Sequence, residues 1–190
     1  ARRRGEMLAE LGYVAFAVDM YGTGKVTDSA DQAKEWMTET TADVEWWREG
    51  AMAGIRYLKN HKLVDAGKIA AIGYCFGGGT VIQLAYGGLD INGIVSFHGS
   101  LPIADESAFG KIRTRMLIAH GNADPFIPRE IVTKFQDTLD KANAEWNMIT
   151  YGNVLHSFTN PKSDTRGMAA LKYDKQADEH SWRAMQHFFN

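Results

Sequence analysis

Apolar and polar positions follow two rhythms along this chain. Where apolar residues recur three or four positions apart, the pattern predicts helices. RRRGEMLAELG places Met7, Leu8 and Leu11 on one face and stops at Gly12. A longer helical pattern runs from about Ala30 to Lys59, with a weak point near Thr40–Thr41. It makes Trp36, Trp46, Trp47, Met52, Ile55 and Leu58 available for burial. FGGGTVIQLAY is the next helix, ended by Gly87–Gly88. PREIVTKFQDTLDKAN follows, with Pro128 suited to a first turn and Ile131, Phe135 and Leu139 facing inward. The last helix opens at about Tyr173 and carries the stripe Ala177, Trp182, Met185 and Phe189.

Between these lie five short, nearly continuous apolar runs: YVAFAVDM, KIAAIGY, INGIVSFHG, TRMLIAHG and AEWNMITYG. Apolar runs without polar alternation predict strands covered on both faces. Strands alternating with helices predict an α/β fold, a mostly parallel sheet between two helical layers. Ligands of such sheets bind beyond the carboxyl ends of the strands. That rule gathers Cys75, His98, residues 120–124 and the loop after Tyr151 on one edge, and leaves His61, His180 and His187 as surface residues.

Composition narrows the field. A chain of 190 residues is long enough for one sizeable core, and 45% hydrophobic with 23% charged residues is ordinary for a globular domain. A net charge of −2 gives no support for a nucleic-acid partner, and the basic run Arg2–Arg4 reads as a solvated helix face. No apolar run approaches the roughly 20 residues that cross a bilayer, so no membrane partner is expected. The single cysteine excludes an internal disulfide, and a cytoplasmic setting is expected. The first residues open partway into a helix, without cap or initiator methionine. The expectation is a single domain over residues 1–190 whose natural N-terminal segment, with the first strands, is missing.

That cysteine stands in IGYCFGGG, after a strand and before a helix. The arrangement has the form of a nucleophile elbow with sulfur in place of the hydroxyl. Such a turn forces its central residue toward φ > 0 and aims the side chain away from the sheet. Strand and helix approach so closely that the positions two before and two after, Gly73 and Gly77, are expected to be small. The sulfur would lie at the positive end of a helix dipole, which stabilises negative charge there. The backbone N–H of Phe76, the residue after the cysteine, would donate to an oxyanion. Read blandly, a free cysteine is a small buried hydrophobe. A phosphate loop would require a Gly-Lys-Ser/Thr ending or G-x-G-x-x-G spacing, and neither is present.

A thiol nucleophile requires a base, and the base an orienting group. HGNADPFIP offers Asp124 in a short loop past a strand, although Asp-Pro is also a common turn opener. YGNVLHSFTNP offers His156 past the next strand. The order Cys75, Asp124, His156 is the nucleophile–acid–base order of α/β-hydrolases. His98 is the rival base, and His120 reads as structural. Tyr21, Tyr74, Phe76, Phe126 and Phe158 fall near the same edge and are candidates to line an apolar substrate pocket.

These stretches resemble the dienelactone hydrolase family of α/β-hydrolases. The likeness runs through RRGEMLAELGYVAFAVDMYG, IAAIGYCFGGGTVIQLA, VSFHGSL, LIAHGNADPFIP, VLHSFTNP and ADEHSWRAMQHFF, spread over nearly the whole chain. Cysteine at the elbow sets this family apart from most serine esterases. The resemblance implies that Cys75 attacks a small-molecule ester or lactone, that His156 moves the proton, that Asp124 orients it and that Phe76 N–H supplies half an oxyanion hole. No cofactor and no metal are expected. Members of the family carry, ahead of the opening helix, strands and a loop that gives the second oxyanion N–H. In the dienelactone enzyme that loop also gives a glutamate near the thiol. Without them, the 190-residue chain is expected to be weakly active or inactive. The dienelactone enzyme also has an arginine four residues after its histidine, where this chain has Asn160, so a general ester, lactone or thioester hydrolase is expected. Two readings of another kind remain open: a non-catalytic binding domain that keeps the elbow, and a redox sensor that oxidises Cys75.

Overall fold

Three helices and no strand shape the first 69 residues of the computed structural model, which describes residues 1–190. They are α1 (Arg2–Glu10), α2 (Ala30–Thr41) and α3 (Val44–Lys59). The predicted long helix breaks at Ala42–Asp43, two residues beyond the expected weak point. Asp43 has an extended backbone, and its carboxylate accepts from Glu45 N and Trp46 N, so it starts a new helix instead of continuing the old one. Of the adjacent pair Trp46 and Trp47, only Trp47 is buried, while Trp46 is 70% exposed.

The run Tyr13–Met20, expected as a strand, forms none. A strand exists through the hydrogen bonds of a neighbour, and this unit holds no other extended ladder for it to join. Its Tyr13, Val14, Phe16 and Val18 are exposed, with Phe16 resting against Tyr57.

The other four predicted strands are present in the second unit, residues 70–190. They are β1 (Ala70–Tyr74), β2 (Gly93–Phe97), β3 (Met116–Gly121) and β4 (Trp146–Tyr151), all parallel in the order β1-β2-β3-β4. Helices α4 (Phe76–Tyr86), α5 (Arg129–Lys141) and α6 (Lys175–Phe189) complete the unit.

Side-chain alternation decides which helix covers which face. Ile94, Met116 and Ile118 cluster with Val81, Ile82 and Tyr86 of α4 and with Phe135 and Leu139 of α5. On the opposite side of β2, a Cβ at Gly93 would meet the Phe188 ring of α6 at 2.7 Å. The sheet of this unit is therefore the middle of three layers, with α4 and α5 on one face and α6 on the other. Both faces being dry, β2 and β3 are buried at every position, which is why they read as unbroken apolar runs. The carboxyl ends of all four strands lie on one edge, because every crossover is parallel. No helix is long and apolar enough to cross a membrane.

Candidate active site

Cys75 connects β1 to α4 with φ 54° and ψ −117°. For a residue with a side chain this is a strained conformation, costing on the order of 1–3 kcal/mol. The surroundings impose it. Cys75 N donates to Phe97 O at 3.1 Å, which ties the turn to β2, while its own carbonyl already accepts from Gly78 N at 3.0 Å. The side chain is left exposed beyond the strand ends.

The glycines divide the work differently from expectation. A Cβ on Gly73 would run into the Gly77 carbonyl, so a methyl has no room beneath the helix. On Gly77 itself a Cβ would meet nothing within 4 Å. Gly78 is the second crowded position, its Cβ site 2.6 Å from Gly99 Cα in the next crossover. Smallness is required at 73 and 78, not at 77.

Two loops bring polar groups to the sulfur. After β3, Asp124 is buried, its side chain 0% exposed. Its Oδ1 accepts from Phe126 N at 2.9 Å, which leaves Oδ2 aimed at the loop after β4. There His156 Nδ1 donates to Oδ2 at 2.7 Å, and His156 Nε2 lies 3.1 Å from Cys75 Sγ. The loops are joined backbone to backbone: Ala123 N donates to Val154 O at 3.0 Å. Gly121 is what permits that approach, since a Cβ there would come within 2.5 Å of Val154 O.

Burial alone would push the His156 imidazole down, yet its hydrogen bonds to Asp124 and Cys75, and the negative charge of both partners, outweigh that and hold it up at about 9. His120, also buried, goes the other way. Burial lowers its pKa, the nearby Asp124 opposes the shift and the charge of His156 adds to it. His120 is thus kept as a neutral ring beneath the site.

The rival base is differently engaged. His98, at φ 39° just past β2, is 2% exposed, and its Nε2 lies 2.8 Å from Thr159 Oγ1. Its ring stands edge-on to His156, centroids 5.1 Å apart. Sequence reasoning weighed this histidine as a base and missed its bond to Thr159, for which a lone threonine in a loop gives no signal.

The proposed pocket residues differ in where the fold places them. Phe126 is 50% exposed and stands edge-on to the His156 ring at 5.2 Å, in position to border a bound molecule. Tyr74 is half-buried and stacks on Phe97 at 4.6 Å. Phe158 does not fit the expectation: it is 0% exposed, packed under His98 and Tyr151, and offers no surface to a substrate. Phe76 opens α4, which sets its N–H at the positive end of that helix beside the sulfur. Tyr21 belongs to the first unit, where Asp19 Oδ1 accepts from its N–H and its ring meets Trp36 at 5.9 Å. Of the three surface histidines, His180 and His187 are exposed, and His180 Nδ1 bonds Tyr151 OH at 2.9 Å. His61 is half-buried.

Comparison with known proteins agrees with this architecture. Two solved structures superpose over the whole chain and 79% of their own length. They are m3DLH, 38% identical with a TM-score of 0.95, and a dienelactone hydrolase-like promiscuous phosphotriesterase, P91, from metagenomic libraries, 36% identical with a TM-score of 0.94. An uncharacterised protein of Caenorhabditis elegans is 30% identical over 138 residues, 72% of this chain and 87% of its own. A Bradyrhizobium sp. protein named as a probable 2-oxo-3-(5-oxofuran-2-ylidene)propanoate lactonase is 24% identical over 160 residues, 80% of this chain and 64% of its own. The dienelactone hydrolase family profile matches residues 1–190 from end to end, and the chain belongs to that family.

Proposed function

We propose that this protein hydrolyses a carboxylic ester or lactone with Cys75 as nucleophile, His156 as proton carrier and Asp124 as the group that orients it. The observation that carries the reading is the unbroken relay from sulfur to imidazole to buried carboxylate, at 3.1 and 2.7 Å. With Nδ1–H committed to Asp124, Nε2 is the nitrogen that faces the sulfur and can take its proton.

The steps balance with water as the only co-reactant. Sulfur forms a bond to the acyl carbon while the thiol proton resides on His156 Nε2. The carbonyl oxygen becomes an oxyanion, to which Phe76 N–H donates at the head of α4. The imidazolium returns the proton to the leaving alcohol as the C–O bond breaks, giving an acyl-thioester; with a lactone that alcohol stays attached to the acyl chain. His156 then takes a proton from water, the hydroxide adds to the acyl carbon, and the C–S bond breaks as His156 returns that proton to the sulfur and the carboxylic acid departs.

Asn160 supports a neutral substrate over an anionic one. Its Oδ1 accepts from Lys162 N at 3.1 Å, so the side chain serves its own loop and offers no cation for a carboxylate. The name of P91 makes neutral phosphotriesters the second class to assay.

The test is covalent. Brief incubation with a p-nitrophenyl ester, acid quench and mass spectrometry should find the acyl group on Cys75. Iodoacetamide labelling of Cys75 should abolish turnover in step with the label. Full esterase activity in protein shown to be completely labelled would remove Cys75 from the mechanism.

A further inference from the structure

Three consecutive carbonyls around the base, those of His156, Ser157 and Phe158, are held by the segment that follows. Lys172 N donates to His156 O at 3.1 Å, Asp174 N donates to Phe158 O at 3.1 Å, and Ser163 Oγ donates to Ser157 O at 2.9 Å. Leu171 adds a parallel bridge to His156, and Asp164 Oδ1 closes the return by accepting from Tyr173 N at 2.9 Å. Backbone donors survive every substitution except proline. Ser163 is the one side-chain donor of the three, and it is 1% exposed.

Its position matters because of what Ser157 must do. Ser157 has φ 62°, a left-handed conformation that is strained in a residue with a Cβ. It is the residue directly after the base, so its backbone sets where the His156 ring points. The Ser163 hydroxyl has one proton and two lone pairs. It donates to Ser157 O and is placed to accept from Ser157 Oγ, 3.0 Å away. Asn160 N also donates to Ser157 O at 3.0 Å, and Ser163 N donates to Asn160 O at 2.9 Å. Both polar ends of Ser157 are thus clamped from one buried side chain.

We infer that Ser163 is a positioning residue for the base: its hydroxyl holds Ser157 in the left-handed conformation that keeps His156 Nε2 on Cys75 Sγ. The inference rests on the relay under Proposed function, and its test is chosen to read the imidazole–sulfur alignment without any ester.

The rate of Cys75 alkylation by iodoacetamide at neutral pH, measured on the whole chain, reports that alignment, because the imidazole nitrogen 3.1 Å from Sγ is the group that takes the thiol proton as the new C–S bond forms. Ser163→Ala should slow alkylation about tenfold, toward the rate of His156→Ala. It should lower kcat by a similar factor while leaving KM unchanged, a split that loosened packing alone does not predict. Ser157→Gly, which keeps the clamp on its carbonyl, should alkylate near the wild-type rate. Ser157→Gly/Ser163→Ala should recover the wild-type rate to within about threefold, since glycine adopts the left-handed φ without strain, and it keeps the test open if Ser163→Ala fails to fold. Wild-type alkylation in a folded Ser163→Ala protein would overturn the inference, and so would a tenfold loss that persists in the double variant. So would an unchanged rate in His156→Ala, because no pairing would then remain to be held. The expected alkylation pattern without ester turnover in the wild type would refute the hydrolase reading and leave the role of Ser163 standing.

Discussion

Replacing Asp124 by asparagine removes one negative charge and almost no volume, and the structure fixes how the new amide would sit. Oδ1 of Asp124 accepts from Phe126 N at 2.9 Å. An amide must keep its oxygen there, because the flipped rotamer would set NH2 against that N–H. Its nitrogen is therefore fixed where Oδ2 now meets His156 Nδ1 at 2.7 Å. An NH2 in that place donates, so Nδ1 must accept, and the ring proton moves to Nε2, which faces the sulfur. The base then carries a proton where it needs a lone pair. A wrong tautomer of this kind costs about 10³–10⁴ in kcat, or roughly 4–5.5 kcal/mol in the barrier. Hydrolysis of p-nitrophenyl acetate gives kcat and KM; KM should change little and kcat should carry the loss. Asp124→Ala should melt at the lower temperature of the two, since it also strips the Phe126 N–H of its acceptor. Turnover within tenfold of wild type in a folded Asp124→Asn protein would refute the tautomer argument and with it the orienting role of Asp124.

Other consequences are open to measurement. His156→Ala should lower kcat by several powers of ten, and near-normal turnover would move the base to another residue. Gly73→Ala should destabilise the fold by about 1–3 kcal/mol or more by overpacking, whereas Gly77→Ala should be neutral or gain up to about 1 kcal/mol in helix propensity; thermal melts of the two variants decide the matter, and equal losses would contradict the contact geometry. Because the His156 pKa is raised to about 9 in the fold, its stabilisation is fully present below the unfolded value and is lost as pH rises through about 9. From an unfolded pKa of about 6.5 the loss is at most about 3 kcal/mol. His120, lowered by burial, acts with the opposite sign and weakens the fold as pH falls below about 6.5. Urea titrations should place the stability maximum near neutral pH, and His156→Gln should flatten the alkaline limb.

How far the sequence could be read depended on how local each cause is. The elbow was legible because its cause lies within a few residues, an apolar run, a cysteine and glycines at fixed offsets. Strands β2 and β3 were legible because burial on both faces leaves a continuous apolar signature. Tyr13–Met20 carries the same signature without a partner to pair with, and composition cannot report pairing. Trp46 and Trp47 were grouped as core candidates, but neighbours on a helix stand about 100° apart, and only Trp47 turns inward. The Gly77 assignment failed for a related reason: a count of offsets does not say on which side of a contact the room runs out. Phe158 was expected at the pocket because it follows His156 closely, yet its ring points down into the core. Nothing marked Ser163 at all, since a serine in NPKSD reads as a solvated turn until the chain is seen to fold back on Ser157.

The seam between the two loops, where Ala123 N meets Val154 O over the bare flank of Gly121, is built entirely from main-chain atoms. Its dimensions are accordingly indifferent to which side chains decorate the rim. Phe126 can be traded for a smaller or more polar neighbour with the acid-to-imidazole separation left intact, because only its amide nitrogen touches the carboxylate. On the proposed mechanism such a scaffold separates what is reacted from how it is reacted, and substitution at position 126 is the place to look for altered substrate preference.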